Sequence, residues 1–305
     1  MSSNSSTSTL PDVNKLDETL LPPPLEGLRR DGEFWIEDGN LILVAKDVAF
    51  RVYRGLLAEQ STVLAEMAAT ASEDFDDEDH SPDELSSLVR LSHKYGIHDV
   101  EEQALDLLRE RYADDFDEWC SSYPEFIARP ISRPRTHCIG VVNIARLTNT
   151  PSLLPATLYT CTLLGATVMN GWEREDGCVE YLSTDDLKRC FDARERLCQE
   201  RAMVLCKIFD NRLSQRCDTA DTCGAELKHK VLLIMADGLP RLMGCAALDS
   251  GVAKDIHTNS GIFASICLIC RMELQCRDKQ ARKEVWDKLP DIFGISVPGW
   301  GKIAD

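Results

Sequence analysis

Cysteine is the residue type with the greatest chemical potential in this chain, which contains thirteen of them. Four form two spaced pairs: Cys217 and Cys223 are separated by five residues, and Cys267 and Cys270 by two. The C-x2-C spacing is typical of one half of a tetrahedral zinc site, whereas the x5 spacing is not. Together these four thiols could bind one zinc ion in a structural site.

The same cysteines can also be explained without a metal. Cys267 and Cys270 lie three residues apart, which places them on one face of a helix, and free cysteine is among the most buried residue types. A C-x-x-C redox motif is disfavoured because no preceding strand or thioredoxin-like βαβ unit is evident. The sequence therefore leaves zinc binding and simple burial open, and it assigns no metal ligand outright. Four further cysteines have the spacing of helix packing: Cys161, Cys190, Cys198 and Cys206.

Known catalytic motifs are missing from the sequence. It contains no G-x-S-x-G, H-E-x-x-H, P-loop or G-x-G-x-x-G pattern. The acidic pair Asp185-Asp186 follows Ser183 at the start of a helical pattern, so it is better explained by helix capping than by acid–base catalysis. The sequence predicts a protein that is not an enzyme, with no catalytic residue and no cofactor.

The elements that must position the cysteines are predicted to be helices. One long helix starts at Ser183, a second covers Cys223 to Met235, and a third region covers Ser265 to Phe293. Two apolar helices precede them, at His137–Leu147 and Pro151–Met169. Within the second, Leu153–Met169 is the most membrane-like stretch of the chain, but it is a little shorter than a spanning helix and contains Pro155, which favours a buried helix.

The N-terminal half has a different pattern. Asn40–Ala45 and Val48–Tyr53 are short runs rich in β-formers, and the two residues between them predict a tight hairpin. The first run is apolar at every position, so we expect both faces of that strand to be covered. Helical spacing follows as far as Met67, with Ser61 as an N-cap.

A pair of capped helices comes next. Ser81-Pro82-Asp83-Glu84 is a capping box with proline at the first helical position, and Gly96 supplies a C-terminal stop. Asp99 is expected to cap the second helix of the pair, which runs to Tyr112.

These residues resemble a BTB/POZ domain of the fungal type. The N-terminal match is F-x-V-x-R-x-x-L-A-x-x-S-x-V-L, and L-x-x-L-V-x-L-x-x-K-Y-G-I resembles the start of the last helix pair. The lead-in FWIEDGN and the closing VWDKLPDIFGI are also similar to fungal members. The resemblance implies a non-enzymatic protein-interaction domain that dimerises. The N-terminal match is carried by Phe50, Val52, Arg54, Leu57, Ala58, Ser61, Val63 and Leu64.

The chain departs from this family in the middle of the domain. Between Met67 and Pro82 the family has a further strand and two helices, whereas this chain has about a dozen mostly acidic residues. Because family members contact cullin-type ubiquitin-ligase scaffolds partly through the missing region, we do not expect that partner. The resemblance implies instead that the chain binds an unidentified protein partner or a second copy of itself. Loss of the middle segment is expected to weaken dimerisation.

Composition limits the compartment and the partners. The formal net charge of −17 disfavours nucleic acid and anionic membranes, because the field of the protein repels polyanions. The N-terminus has no apolar signal sequence, so we expect an intracellular protein with reduced thiols.

The fold class predicted is α+β and mostly helical. It consists of a disordered tail (1–30), a contracted BTB-like domain (31–116) with a short hairpin, and an all-α C-terminal domain (117–305).

Overall fold

A computed structural model describes residues 28–39, 41–53, 55, 81–121, 135–210, 213–237, 244–249 and 265–301. The chain divides into two compact units, residues 1–74 and 75–305, which are described separately below. Several predictions fall outside the described residues: the Ser61 cap, the helices up to Met67 and the contracted segment that follows them.

The first unit contains a three-stranded sheet with the order β1-β3-β2. Strands β2 (Leu41–Ala45) and β3 (Val48–Val52) form an antiparallel hairpin in which Leu43 lies opposite Phe50. Lys46, in the turn, has a φ of 55°, the left-handed conformation that a tight hairpin turn requires. The predicted hairpin is confirmed.

Two features of this sheet differ from the sequence-based expectations. Strand β1 (Arg29–Trp35) pairs in parallel with β3, and it begins inside the predicted 1–30 tail, so that boundary is wrong by two residues. The expectation that both faces of β2 are covered is also wrong. Ile42, Leu43 and Val44 are 39%, 43% and 41% exposed, and because successive side chains of a strand point to opposite faces of the sheet, neither face of β2 is fully covered.

The second unit is mostly helical. Its first helices are α1 (Pro82–Tyr95), α2 (His98–Arg111), α3 (His137–Leu147) and α4 (Leu154–Leu163). Short 3-10 turns at Pro151–Leu153 and Gly165–Asn170 flank α4, so the predicted Pro151–Met169 helix is divided into three pieces. The later helices are α5 (Thr184–Ile208), α6 (Ala220–Asp237), α7 (Leu268–Asp287) and α8 (Leu289–Phe293).

Two of the three helix caps predicted for α1 and α2 are confirmed. Glu84 N donates to Ser81 Oγ and Ser81 N donates to Glu84 Oε2, which completes the predicted capping box. Gly96 adopts the left-handed conformation at the end of α1. Asp99, however, is not a cap: α2 begins one residue earlier, and Asp99 lies in its first turn, where a carboxylate favours the positive end of the helix.

The core of the second unit is formed around α4 and α7. Every residue of α4 from Leu154 to Thr162 is buried, so the buried-helix prediction is confirmed. Trp286 of α7 stacks on Trp300 with ring centroids 4.8 Å apart and lies 5.4 Å from Trp119. Among the described residues, no helix is both long enough and apolar enough to span a membrane.

Helix α5 connects the elements of this unit. It packs against α4, α7 and α8. Arg189 donates to the carbonyls of Phe293 and Gly294, and Arg196 donates to those of Asp291 and Ile292. Guanidinium groups thus satisfy the carbonyls at the C-terminus of α8, which holds α8 against α5. 

A small hairpin interrupts the helices and was not predicted. Strands β4 (Trp172–Glu173) and β5 (Val179–Glu180) are antiparallel, and Glu180 accepts hydrogen bonds from Arg90 and Asn143. The fold class, α+β and mostly helical, is confirmed, but the region after residue 117 is not entirely α. Helix α1 packs against α2 and α3, so the helix pair assigned to 31–116 lies in the same compact unit as the later helices.

Candidate metal centre

The four spaced cysteines are brought together by the start of two helices. Cys217 lies in the turn before α6, and Cys223 lies in the first turn of that helix. Cys267 is the N-cap of α7, with its Sγ accepting from the backbone N–H of Cys270 in the first turn. The two cysteine pairs therefore lie side by side in the structure, although Cys223 and Cys267 are 44 residues apart in the sequence.

The separations of the four sulfurs match a tetrahedral metal site. All four Sγ atoms lie within 4.8 Å of one another, and those of Cys217 and Cys267 are 3.7 Å apart. A regular tetrahedron with Zn–S bonds of about 2.3 Å has S···S edges of about 3.8 Å. To bind an ion at the centre of the cluster, the sulfurs would therefore need to move relative to one another by about 1 Å or less.

Hydrogen-bond donors also point at the sulfurs. The backbone N–H of Cys267 donates to Cys223 Sγ at 3.3 Å, and that of Cys270 lies 3.5 Å from Cys267 Sγ. Thr219 Oγ1 lies 3.2 Å from Cys223 Sγ. Such donors stabilise negative charge on sulfur, which matters because four thiolates and one Zn²⁺ carry a net charge of −2.

Burial divides the four cysteines into two pairs. Cys223 is 0% exposed and Cys270 is 4% exposed. Cys217 and Cys267 are only partly buried. One side of the cluster therefore lies in the protein interior and the other faces solvent.

The thiols of α7 have opposite pKa shifts. Burial raises the pKa of Cys267, but the Cys270 N–H and hydrogen bonds from the neighbouring thiols outweigh burial and lower that pKa to about 7. Burial, followed by the hydrogen bonds to Cys217 and Cys267, raises the pKa of Cys270 to about 12. Without a metal, Cys267 is thus more easily deprotonated than Cys270, and zinc binding would displace the proton of Cys270.

Several cysteines outside the cluster are buried in the packed core. Cys138 and Cys161 place their sulfurs 3.2 Å apart in the core, and burial raises the pKa of both Cys161 and Cys190. Buried thiols of this kind are chemically inert, which confirms packing for Cys161 and Cys190. Cys206 is exposed, so its assignment to packing is wrong, because it lies on the solvent side of α5.

The structure also shows polar groups that the sequence did not reveal. Ser183 alone caps α5 with its side chain, whereas Asp186 binds Arg146. In α7, Asp278 is fully buried and forms an ion pair with Arg282 at 2.8 Å. The i,i+4 spacing of an acid and a base was visible in the sequence, but it does not reveal burial.

Comparisons with known proteins provide no assignment: no family model, curated protein or solved structure matches this chain.

Proposed function

We propose that this chain is a non-enzymatic protein whose helical unit is stabilised by a structural zinc ion bound to Cys217, Cys223, Cys267 and Cys270. The observation that carries this proposal is the clustering of four sulfurs within 4.8 Å, from two segments distant in sequence. Zinc takes four thiolates in closed structural sites, whereas catalytic zinc keeps one position for water or substrate. Bound zinc would act as a crosslink between the start of α6 and the start of α7.

Elemental analysis of the purified chain, produced with zinc in the medium, tests this proposal. We expect one zinc per chain, because the four thiols fill a single tetrahedral site. Cys270→Ser should lose the metal, while Cys276→Ser, at an exposed position on the same helix, should retain it. Folded protein that contains no metal and takes up no added Zn²⁺ would overturn the proposal. Stoichiometric iron in place of zinc would overturn the choice of metal.

A second candidate function is self-association through the sheet of the first unit. The observation that favours it is the exposure of Ile42, Leu43 and Val44 on β2, which is an edge strand of the sheet formed by the described residues. Apolar edge strands pair readily with another strand, and a second copy of β2 offers the same apolar residues. This candidate agrees with the interaction role that the BTB/POZ resemblance implies.

Light scattering coupled to size-exclusion chromatography tests self-association. The wild-type chain should elute as a dimer, and Leu43→Lys should shift it to a monomer by placing a charge in the edge pairing. Val179→Lys is the matched control, since Val179 is 42% exposed on a strand of the other unit. A wild-type monomer across the accessible concentration range would remove the candidate.

A further inference from the structure

The cysteine cluster is asymmetric in a way that a purely structural site does not require. Cys223 and Cys270 are buried and lie within helices α6 and α7. Cys217 and Cys267 are partly exposed, and neither is inside a helix: one lies in a turn and the other is an N-cap. The two accessible sulfurs are also in contact, 3.7 Å apart.

Resting on the proposed zinc site, we infer that it is a peroxide-sensitive switch, in which Cys217 and Cys267 form a disulfide and the metal is released. A disulfide needs its sulfurs about 2.05 Å apart, so the pair must approach by about 1.7 Å. Cys217 lies outside the helices and can supply this movement without breaking an intrahelical hydrogen bond, whereas the carbonyl of Cys267 accepts the first backbone hydrogen bond of α7, from Arg271 N. The buried pair is held by two helices and is shielded from a soluble oxidant.

The chemistry requires one two-electron oxidant, hydrogen peroxide. One accessible thiolate attacks a peroxide oxygen, the O–O bond breaks, and the departing hydroxide takes a proton to become water. The second thiolate then attacks the resulting sulfenic acid, the S–S bond forms, and the S–O bond breaks with loss of a second hydroxide, also protonated to water. Two thiolates, one peroxide and two protons thus give one disulfide and two waters.

Release of the metal follows from the loss of two ligands. A disulfide sulfur carries no negative charge and is a poor ligand for zinc, so only Cys223 and Cys270 remain. These two thiolates take up protons as the ion leaves. The start of α6 is then no longer tied to the start of α7 through the metal, although the new disulfide still joins Cys217 to Cys267.

Peroxide titration of the zinc-loaded full chain tests this inference, with a chromogenic chelator reporting free zinc and peptide mapping reporting disulfides. We expect release of one zinc per chain together with a Cys217–Cys267 disulfide, and recovery of the metal site after treatment with a thiol reductant and Zn²⁺. The matched control replaces the exposed cysteines outside the cluster, Cys178, Cys206 and Cys276, with serine. This variant should release zinc at the same peroxide concentration as the wild type.

Two results would overturn the inference. One is retention of zinc at peroxide concentrations that fully oxidise Cys178, Cys206 and Cys276 in the wild-type chain. The other is release accompanied by a different disulfide or by sulfonic acid alone. Zinc content measured before peroxide is added separates this inference from the proposed function: a chain without zinc refutes the site itself, whereas a loaded chain that resists peroxide refutes only the switch.

Discussion

Replacing Cys223 with serine should destabilise the protein strongly in the presence of zinc and weakly in its absence. Cys223 is fully buried and accepts a hydrogen bond from the backbone N–H of Cys267 at 3.3 Å, with Thr219 Oγ1 3.2 Å away. A serine hydroxyl has shorter reach than a thiol, so without a metal the variant loses about 1 kcal/mol from one weakened hydrogen bond.

Zinc adds a second, larger loss. A ligand that binds only the folded state stabilises it by about 4.1 kcal/mol when its free concentration is 1,000 times the dissociation constant. Serine does not supply the thiolate that completes the site, so the variant forfeits this stabilisation. The expected difference between wild type and variant is therefore about 5 kcal/mol with zinc and about 1 kcal/mol with a chelator.

Urea unfolding under reducing conditions measures both values, using buffered free zinc in one series and a chelator in the other. Cys190→Ser is the matched control, because Cys190 is also buried, at 4% exposure, but lies outside the cluster. Its effect on stability should be the same in both series. The reasoning would be refuted by a wild-type unfolding midpoint that does not respond to zinc, or by an equal zinc response in the Cys223 and Cys190 variants.

Three further predictions concern the folding unit that holds the cluster. Arg282→Met should lower the free energy of unfolding, measured in urea, by about 3–5 kcal/mol. The reason is that it leaves Asp278 as a buried charge without its Arg282 partner. The double variant that also carries Asp278→Leu should recover most of this loss. Ser81→Ala should cost about 1 kcal/mol by removing the capping bond to Glu84 N, whereas Ser81→Asp should retain stability in the same assay. Burial, followed by the charges of Arg111 and Arg135, lowers the pKa of His137 from 6.5 to about 4. The unfolded chain therefore binds this proton more tightly, and about 3 kcal/mol of stability, present above pH 6.5, should be lost as the pH falls towards 4. His137→Gln should remove that pH dependence, and the exposed His98→Gln should not; equal pH profiles for the two variants would contradict the assignment.

Short-range sequence signals predicted much of the local structure. The Ser81 capping box, the Gly96 stop and the Lys46-Asp47 turn each depend on residues within four positions of one another, so their geometry is largely encoded locally. Strand β1 was missed because Arg29–Trp35 shows no apolar alternation, and it is a strand only through its pairing with β3. The β4–β5 hairpin was missed for a similar reason, since two-residue strands are too short to show a period.

At the candidate site, too, some features were visible in the local sequence and others depend on long-range packing. The sequence by itself determined that Cys267 and Cys270 have the spacing of metal ligands and that Cys223 lies near the start of a helix. It favoured simple burial over zinc binding, because the spacing of residues close in sequence does not show which residues pack against them. Only the tertiary structure decided that the starts of α6 and α7 meet, which brings four sulfurs within 4.8 Å. The physical reason is that ligand geometry depends on the packing of elements more than 40 residues apart, and that packing is fixed by the whole core.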